Sequence, residues 1–232
     1  MSKDKDAAGA DDDAPRDILT IPTRQGDGRL HLSLAEPGWA GPVLLLGHGA
    51  GGGVAAPDLV ALATELPALG VGVARFEQPW RVAGRKVASR PPTLDAAWTD
   101  MLAVLRQSHS PAQLFFGGRS AGARVACRTA ADAGAAGVVC LAFPLHPPGR
   151  PETSRAAELA MPDSPVLVLQ GTRDPFGAAA DVAAAAVDLP HVTVCPVPGA
   201  DHSMRVIGGC TEPPPEVRDV LVGTVAAFCL GH

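Results

Sequence analysis

FFGGRSAGARVA, residues 115–126, joins the end of an apolar run to an alanine-rich stretch through three glycines and one serine, Ser120. Gly118 and Gly122 bracket Ser120 in a GxSxG pattern, which sets a serine on a sharp turn between a buried strand and a helix. The bracketing positions must be small because strand and helix backbones pass close together there, and glycine has no Cβ to clash. In a chain with 26 glycines among 232 residues the pattern arises readily by chance, so its surroundings must carry the reading.

Those surroundings are a series of continuous apolar runs. VLLLG (43–47) and GVGVARF (70–76) precede QLFFG (113–117), and GVVCLAFPL (137–145), VLVLQG (166–171) and HVTVCPV (191–197) follow it. Such runs are expected of parallel strands buried on both faces. Helix-compatible stretches at 58–69, 94–108, 121–135, 178–188 and 215–229 alternate with them, an order that dictates right-handed crossovers and a doubly wound sheet. Upstream, DILTIPT and RLHLSLAEP alternate apolar with polar residues around the turn signal RQGDG, the pattern of an antiparallel hairpin. The expected fold class is therefore α/β, with a mostly parallel doubly wound sheet and an N-terminal antiparallel hairpin. The connection over 146–164 is short, which leaves no room for a large cap. Residues 1–16 read as a disordered acidic tail and 17–232 as a single domain.

Composition narrows the function classes. The net charge of −5 arises largely in the first 17 residues, which hold six acids and three bases; the remaining 18 acids and 16 bases nearly balance. No nucleic-acid or membrane-surface binder is signalled by that balance. The opening segment lacks the apolar core of a secretory signal, and no apolar run reaches the length of a membrane span, so a cytoplasmic location is expected. Cys127, Cys140, Cys195, Cys210 and Cys229 are odd in number and irregularly spaced, which points to reduced thiols rather than a disulfide framework or a metal site. No cofactor or metal is expected.

A serine hydroxyl becomes a nucleophile only when a base takes its proton, and the base must be held in one tautomer by an acid. Downstream of Ser120 the chain supplies Asp174 in VLVLQGTRDPFG and His202 in VPVPGADHSM, each just past a buried run and in the order Ser, Asp, His. Of the other histidines, His31 lies in the hairpin, His109 ends a helix, His191 opens a strand and His232 is terminal; His48 and His146 stay close to the expected site. Negative charge on an attacked carbonyl also needs backbone N–H donors. Ala121, directly after the serine, and Ala50, in the HGAGGG loop after VLLLG, are the expected oxyanion-hole pair. Gly47, Gly49 and Gly52 of that loop also satisfy GxGxxG, with Glu77 ending the next run as a ribose-binding acid would. GGVAAP, however, delays the helix that a pyrophosphate needs.

The stretch RFEQPWRVAGRKVASR (75–90) carries five bases and one acid and reads first as a solvated surface loop. Its sharper reading is a basic collar for an anionic substrate, in which Arg81 and Arg85 are joined by Arg119, Arg150, Arg173 and Arg205. His48, Arg119, His146, Arg81 and Arg85 are the candidate substrate contacts.

Several segments resemble one branch of the α/β-hydrolases: LLGHGAGG, ARFEQPWRVAGRKVASRPP, GGRSAGAR, FPLHPPGRPE, VLVLQGTRDPFG and GADHSM, spread over about residues 43–204. The branch is typified by NSL complex subunit 3 and testis-expressed protein 30, with bacterial members described as dienelactone-hydrolase-like. The resemblance implies a minimal hydrolase with Ser120, Asp174 and His202 as its triad, and it supplies no substrate. Ala121 and Ala123 stand where relatives often carry Met and Gly, and the serine at the elbow departs from the cysteine of dienelactone hydrolases proper. Together the readings describe an esterase or thioesterase acting on a small-molecule acyl substrate. A non-catalytic interaction module and an acyltransferase using the same triad stand beside it as alternatives.

Overall fold

The computed structural model describes residues 18–108, 111–206 and 215–231; the acidic tail, His109, Cys210 and His232 lie outside them. Strands β1 (Ile18–Thr23), β2 (Gly26–Ser33), β3 (Val43–Gly47), β4 (Gly72–Glu77), β5 (Leu114–Arg119), β6 (Val138–Leu141), β7 (Val166–Gly171) and β8 (Val192–Val197) form one sheet. Their spatial order is β1-β2-β4-β3-β5-β6-β7-β8. The hairpin β1–β2 turns at Arg24–Gln25, with Thr23 opposite Gly26, and β2 runs antiparallel to β4; all other neighbours are parallel. Helices α1 (Pro57–Glu65), α2 (Pro79–Val82), α3 (Pro91–Ser108), α4 (Ala121–Ala133), α5 (Ala179–Ala185) and α6 (Pro215–Leu230) supply the layers.

Because side chains alternate across a strand, each central strand feeds two cores at once. Leu45, Phe116, Cys140 and Val168 pack on one face with Trp98 of α3, Val125 of α4 and Val182 of α5. Leu44, Leu46, Phe115, Val139 and Leu169 pack on the other with Leu59 and Leu62 of α1 and Leu221 and Val225 of α6. Two-sided burial is the reason these runs are continuously apolar. Strand β8, at the edge, is only half covered and tolerates Pro196. Cys127 and Cys140 place their sulfurs 3.5 Å apart in the first core, and the four described cysteines are free thiols.

Two expectations are corrected. The run 137–145 is not one long strand: β6 ends at Leu141, because Ala142 turns into a positive φ of 49° while its N–H donates to the Leu169 carbonyl. Residues 75–90 are not simply a solvated loop. Arg75 belongs to β4, is 4 % exposed and donates to the Val54 carbonyl at 2.7 Å, and Pro79 opens the short helix α2 with Trp80 buried. The dinucleotide alternative also lacks its helix, since α1 starts only at Pro57 and Glu77 faces His31 and Arg29. No helix among the described residues is long and apolar enough to cross a membrane.

Candidate active site

Parallel strands gather their C-terminal ends at one sheet edge, and the residues singled out in the sequence follow those ends: His48 after β3, Ser120 after β5, Asp174 after β7 and His202 after β8. Ser120 sits between β5 and α4 at φ 53°, ψ −111°, a strained conformation for a residue with a side chain. Its N–H donates to the Leu141 carbonyl at 2.9 Å, which ties the turn to β6.

The two glycines of the motif answer to sterics. A Cβ on Gly122 would stand 2.4 Å from both the carbonyl carbon and the oxygen of Gly47, and one on Gly118 would stand 2.6 Å from the Gly122 carbonyl carbon. Backbone, not a yielding side chain, occupies that space, so β3, β5 and α4 meet only because neither residue has a side chain. Gly122→Ala is expected to destabilise the fold by at least about 3 kcal/mol, the upper range for an overpacked site. In thermal unfolding this corresponds to a fall of roughly 10 °C, and a midpoint within about 2 °C of wild type would contradict it.

His202 Nε2 lies 3.0 Å from Ser120 Oγ, and its Nδ1 lies 2.8 Å from Asp174 Oδ2. A carboxylate only accepts, so Nδ1 carries the proton and Nε2 is left to accept from the serine hydroxyl. Asp174 is 4 % exposed and fully employed: Oδ1 accepts from the Phe176 N–H at 2.8 Å, and Oδ2 accepts from Gln170 Nε2 at 3.0 Å as well as from His202. Phe176 stacks on the His202 imidazole at a centroid distance of 4.0 Å. Asp201, the rival acid, is turned into its own loop, where Oδ1 accepts from the Ser203 and Arg205 N–H groups.

Across the serine, the loop after β3 is anchored by His48. Its Nδ1 donates to the Gly49 carbonyl at 2.9 Å, and its Nε2 accepts from the Gln78 N–H at 3.1 Å. Burial lowers its pKa and keeps the ring neutral, as both bonds require. In a trans peptide the C=O and the following N–H point in opposite directions, so the bond to Gly49 O also orients the N–H of Ala50. Ala121 is the first residue of α4, where an N–H has no acceptor within the helix. Ala50 and Ala121 flank a pocket of about 280 Å³ of empty space, counting its open mouth, walled by Trp80, Leu94, Trp98 and Val125.

The remaining sequence candidates separate. Arg81 and Arg85 are exposed, and Arg81 Nε lies 3.5 Å from where a Cβ on Gly53 would stand, beside the loop after β3. His146 is half-buried, bonds the carbonyl of Pro147 through Nδ1, and offers its backbone N–H to the Phe176 carbonyl. Arg119 does not join the exposed collar: it is turned inward, 3.1 Å from Asp58, and donates to the His202 carbonyl at 2.7 Å. Gln170, Phe176 and Asp58 were not singled out from the sequence. Only the segment VLVLQGTRDPFG around the first two hinted at their role, and nothing marks Asp58 beyond an acid in a first helical turn. Among the described residues no cluster of three or more His, Cys, Asp or Glu could hold a metal.

Comparison with known proteins matches residues 40–212 to a family described as the alpha/beta hydrolase domain. Among solved structures, an alpha-beta serine hydrolase homologue from Coxiella burnetii aligns at 20 % identity and a TM-score of 0.73, over 90 % of this chain and 97 % of its own. A lidless a/b serine hydrolase from Xanthomonas campestris aligns at 22 % identity and a TM-score of 0.69, over 92 % and 95 %. Thermogutta terrifontis esterase 2, captured phosphorylated by paraoxon, aligns at 13 % identity and a TM-score of 0.70, over 93 % and 94 %.

Proposed function

The chain belongs to the alpha/beta hydrolase domain family, and we propose that it is a serine hydrolase that cleaves an ester or thioester of a small acid. The observation that carries this reading is the hydrogen-bonded relay from Asp174 Oδ2 through His202 to Ser120 Oγ, at 2.8 and 3.0 Å. Ser120 Oγ attacks the acyl carbonyl while His202 Nε2 takes its proton, and Asp174 stabilises the imidazolium that results. The N–H groups of Ala50 and Ala121 receive the oxyanion, helped by the positive end of α4. His202 then protonates the leaving group; water, activated by the same imidazole, releases the acid and frees Ser120.

A small acyl group is favoured by the pocket, whose walls are apolar and include two buried indoles. The exposed Arg81 beside the loop after β3 supports an acyl group that also carries a negative charge. The narrower family branch rests on the six segments of the sequence resemblance, of which PLHPPG and QGTRDPFG are the most specific.

The test is a panel of nitrophenyl esters and thioesters from acetyl to decanoyl, with neutral and carboxylate-bearing acyl groups. Expected is a kcat/KM highest for the shortest chains and lower by about tenfold or more at eight carbons, as a pocket too small for the chain forfeits binding. Free acid should form in step with nitrophenol even when competing alcohols or amines are added. Acyl transfer to those acceptors would identify an acyltransferase, and no turnover of any member would leave a binding module.

A further inference from the structure

Arg119 immediately precedes the nucleophile, yet its side chain runs back beneath the site. Its Nη2 donates to the backbone carbonyl of His202 at 2.7 Å, and its Nε lies 3.1 Å from Asp58 Oδ2 near the start of α1. The side chains are 12 % and 1 % exposed. Nη1 packs under the loop after β3, 3.4 Å from where a Cβ on Gly49 would stand. One guanidinium, carried by the residue before Ser120, therefore touches the start of α1, the loop that carries the base and the loop after β3.

We propose that Arg119 is a positioning residue that sets the separation of nucleophile and base, with Asp58 as its buried counter-ion. The inference rests on the reading of Ser120 and His202 as nucleophile and base. Its logic is geometric. The Arg119 backbone is continuous with Ser120, so the bond to His202 O closes a ring of covalent and hydrogen bonds between the two reacting residues. Without it, the loop 198–206 is tied to the loop after β7 by fewer bonds, chiefly Gly199 N–H to Thr172 Oγ1 and Arg173 N–H to the Ala200 carbonyl. A reacting distance of 3.0 Å leaves little tolerance for drift.

Asp58 makes the arrangement affordable in electrostatic terms. A guanidinium buried alone carries a large desolvation penalty, and beside His202 it would oppose the imidazolium that forms during catalysis. Burial pushes the Asp58 carboxyl above the usual carboxylate range, and the opposing pull comes first from Arg119 and also from His202. Their Nε–Oδ2 contact is an ion pair without hydrogen-bond alignment, so the guanidinium is directed by its bond to the carbonyl and neutralised by the acid.

The test compares wild type with Arg119→Lys and Arg119→Gln by steady-state kinetics on a short-chain nitrophenyl ester and by proton NMR of the His202 Nδ1–H in the folded proteins. Arg119→Gln is expected to lose about 10²-fold in kcat with KM unchanged within about twofold, the signature of a misplaced catalytic pair. Arg119→Lys keeps the charge and should recover about tenfold of that loss. In both variants the downfield His202 ring proton should shift or broaden. A rise in KM at constant kcat would make Arg119 a substrate contact and overturn the proposal, as would kcat within about twofold of wild type in both variants. If Arg119→Gln does not fold, the lysine variant decides by the same criteria. If wild type hydrolyses no ester, the hydrolase reading falls by itself, and an unaltered ring-proton signal in the lysine variant then overturns the positioning role.

Discussion

Replacing Ser120 by alanine is expected to lower kcat on the best ester substrate by about 10⁶-fold, down to the residual rate that binding and oxyanion donors provide. Only one hydroxyl is removed, and the space it leaves is small, so the effect is chemical rather than structural. The strained backbone at φ 53° presents that oxygen to His202 at 3.0 Å, and among the described residues no other hydroxyl bonds the imidazole. Because nucleophile and base act as a unit, His202→Ala should cost nearly as much, and the double variant should be no worse than either alone. The measurement is kcat for the three variants at equal folded fraction. Retention of activity within about tenfold of wild type in Ser120→Ala would contradict the mechanism.

Asp174→Asn is expected to lower kcat by about 10⁴-fold while leaving KM nearly unchanged. Every neighbour of this carboxylate donates: the Phe176 N–H to Oδ1, and both Gln170 Nε2 and His202 Nδ1 to Oδ2. An amide must place its NH₂ against one of these donors. Toward His202, it stabilises the tautomer protonated on Nε2, which cannot accept the serine proton. Toward Phe176, it leaves two buried donors facing each other, at a cost of about 1–3 kcal/mol in stability. Both outcomes impair turnover and set buried donors against each other, since Gln170 Nε2 also faces the first; the first removes the accepting nitrogen of His202 and the second the negative charge that steadies the imidazolium. A variant with wild-type kcat would remove Asp174 from the reaction.

The sheet was legible because two-sided burial forces a continuous apolar run, and β3, β5 and β7 stand where those runs do. The meeting of Ser120, Asp174 and His202 was legible because the fold's winding brings strand ends together, so that residues far apart in the chain become neighbours at one edge. The end of β6 was not, since the chain stays apolar through Ala142 while the backbone there turns to a positive φ just after its last bond to β7, at Leu169. Arginine was the least legible residue. Arg75 reads as part of a solvated loop and Arg119 as part of a basic collar for substrate, yet each is turned inward by a partner distant in the chain, Val54 O for one and Asp58 with His202 O for the other. Phe176 and Gln170 were hidden for a related reason: stacking on His202 and donation to Asp174 depend on how a loop closes, which has no periodic signature.

The central claim is that Ser120 is an activated nucleophile. Intact-mass measurement of purified protein after exposure to a fluorophosphonate should give a single adduct on wild type, mapped by peptide sequencing to Ser120 and absent from Ser120→Ala and His202→Ala. An unlabelled but folded wild type, or an adduct that persists in Ser120→Ala, would contradict the account.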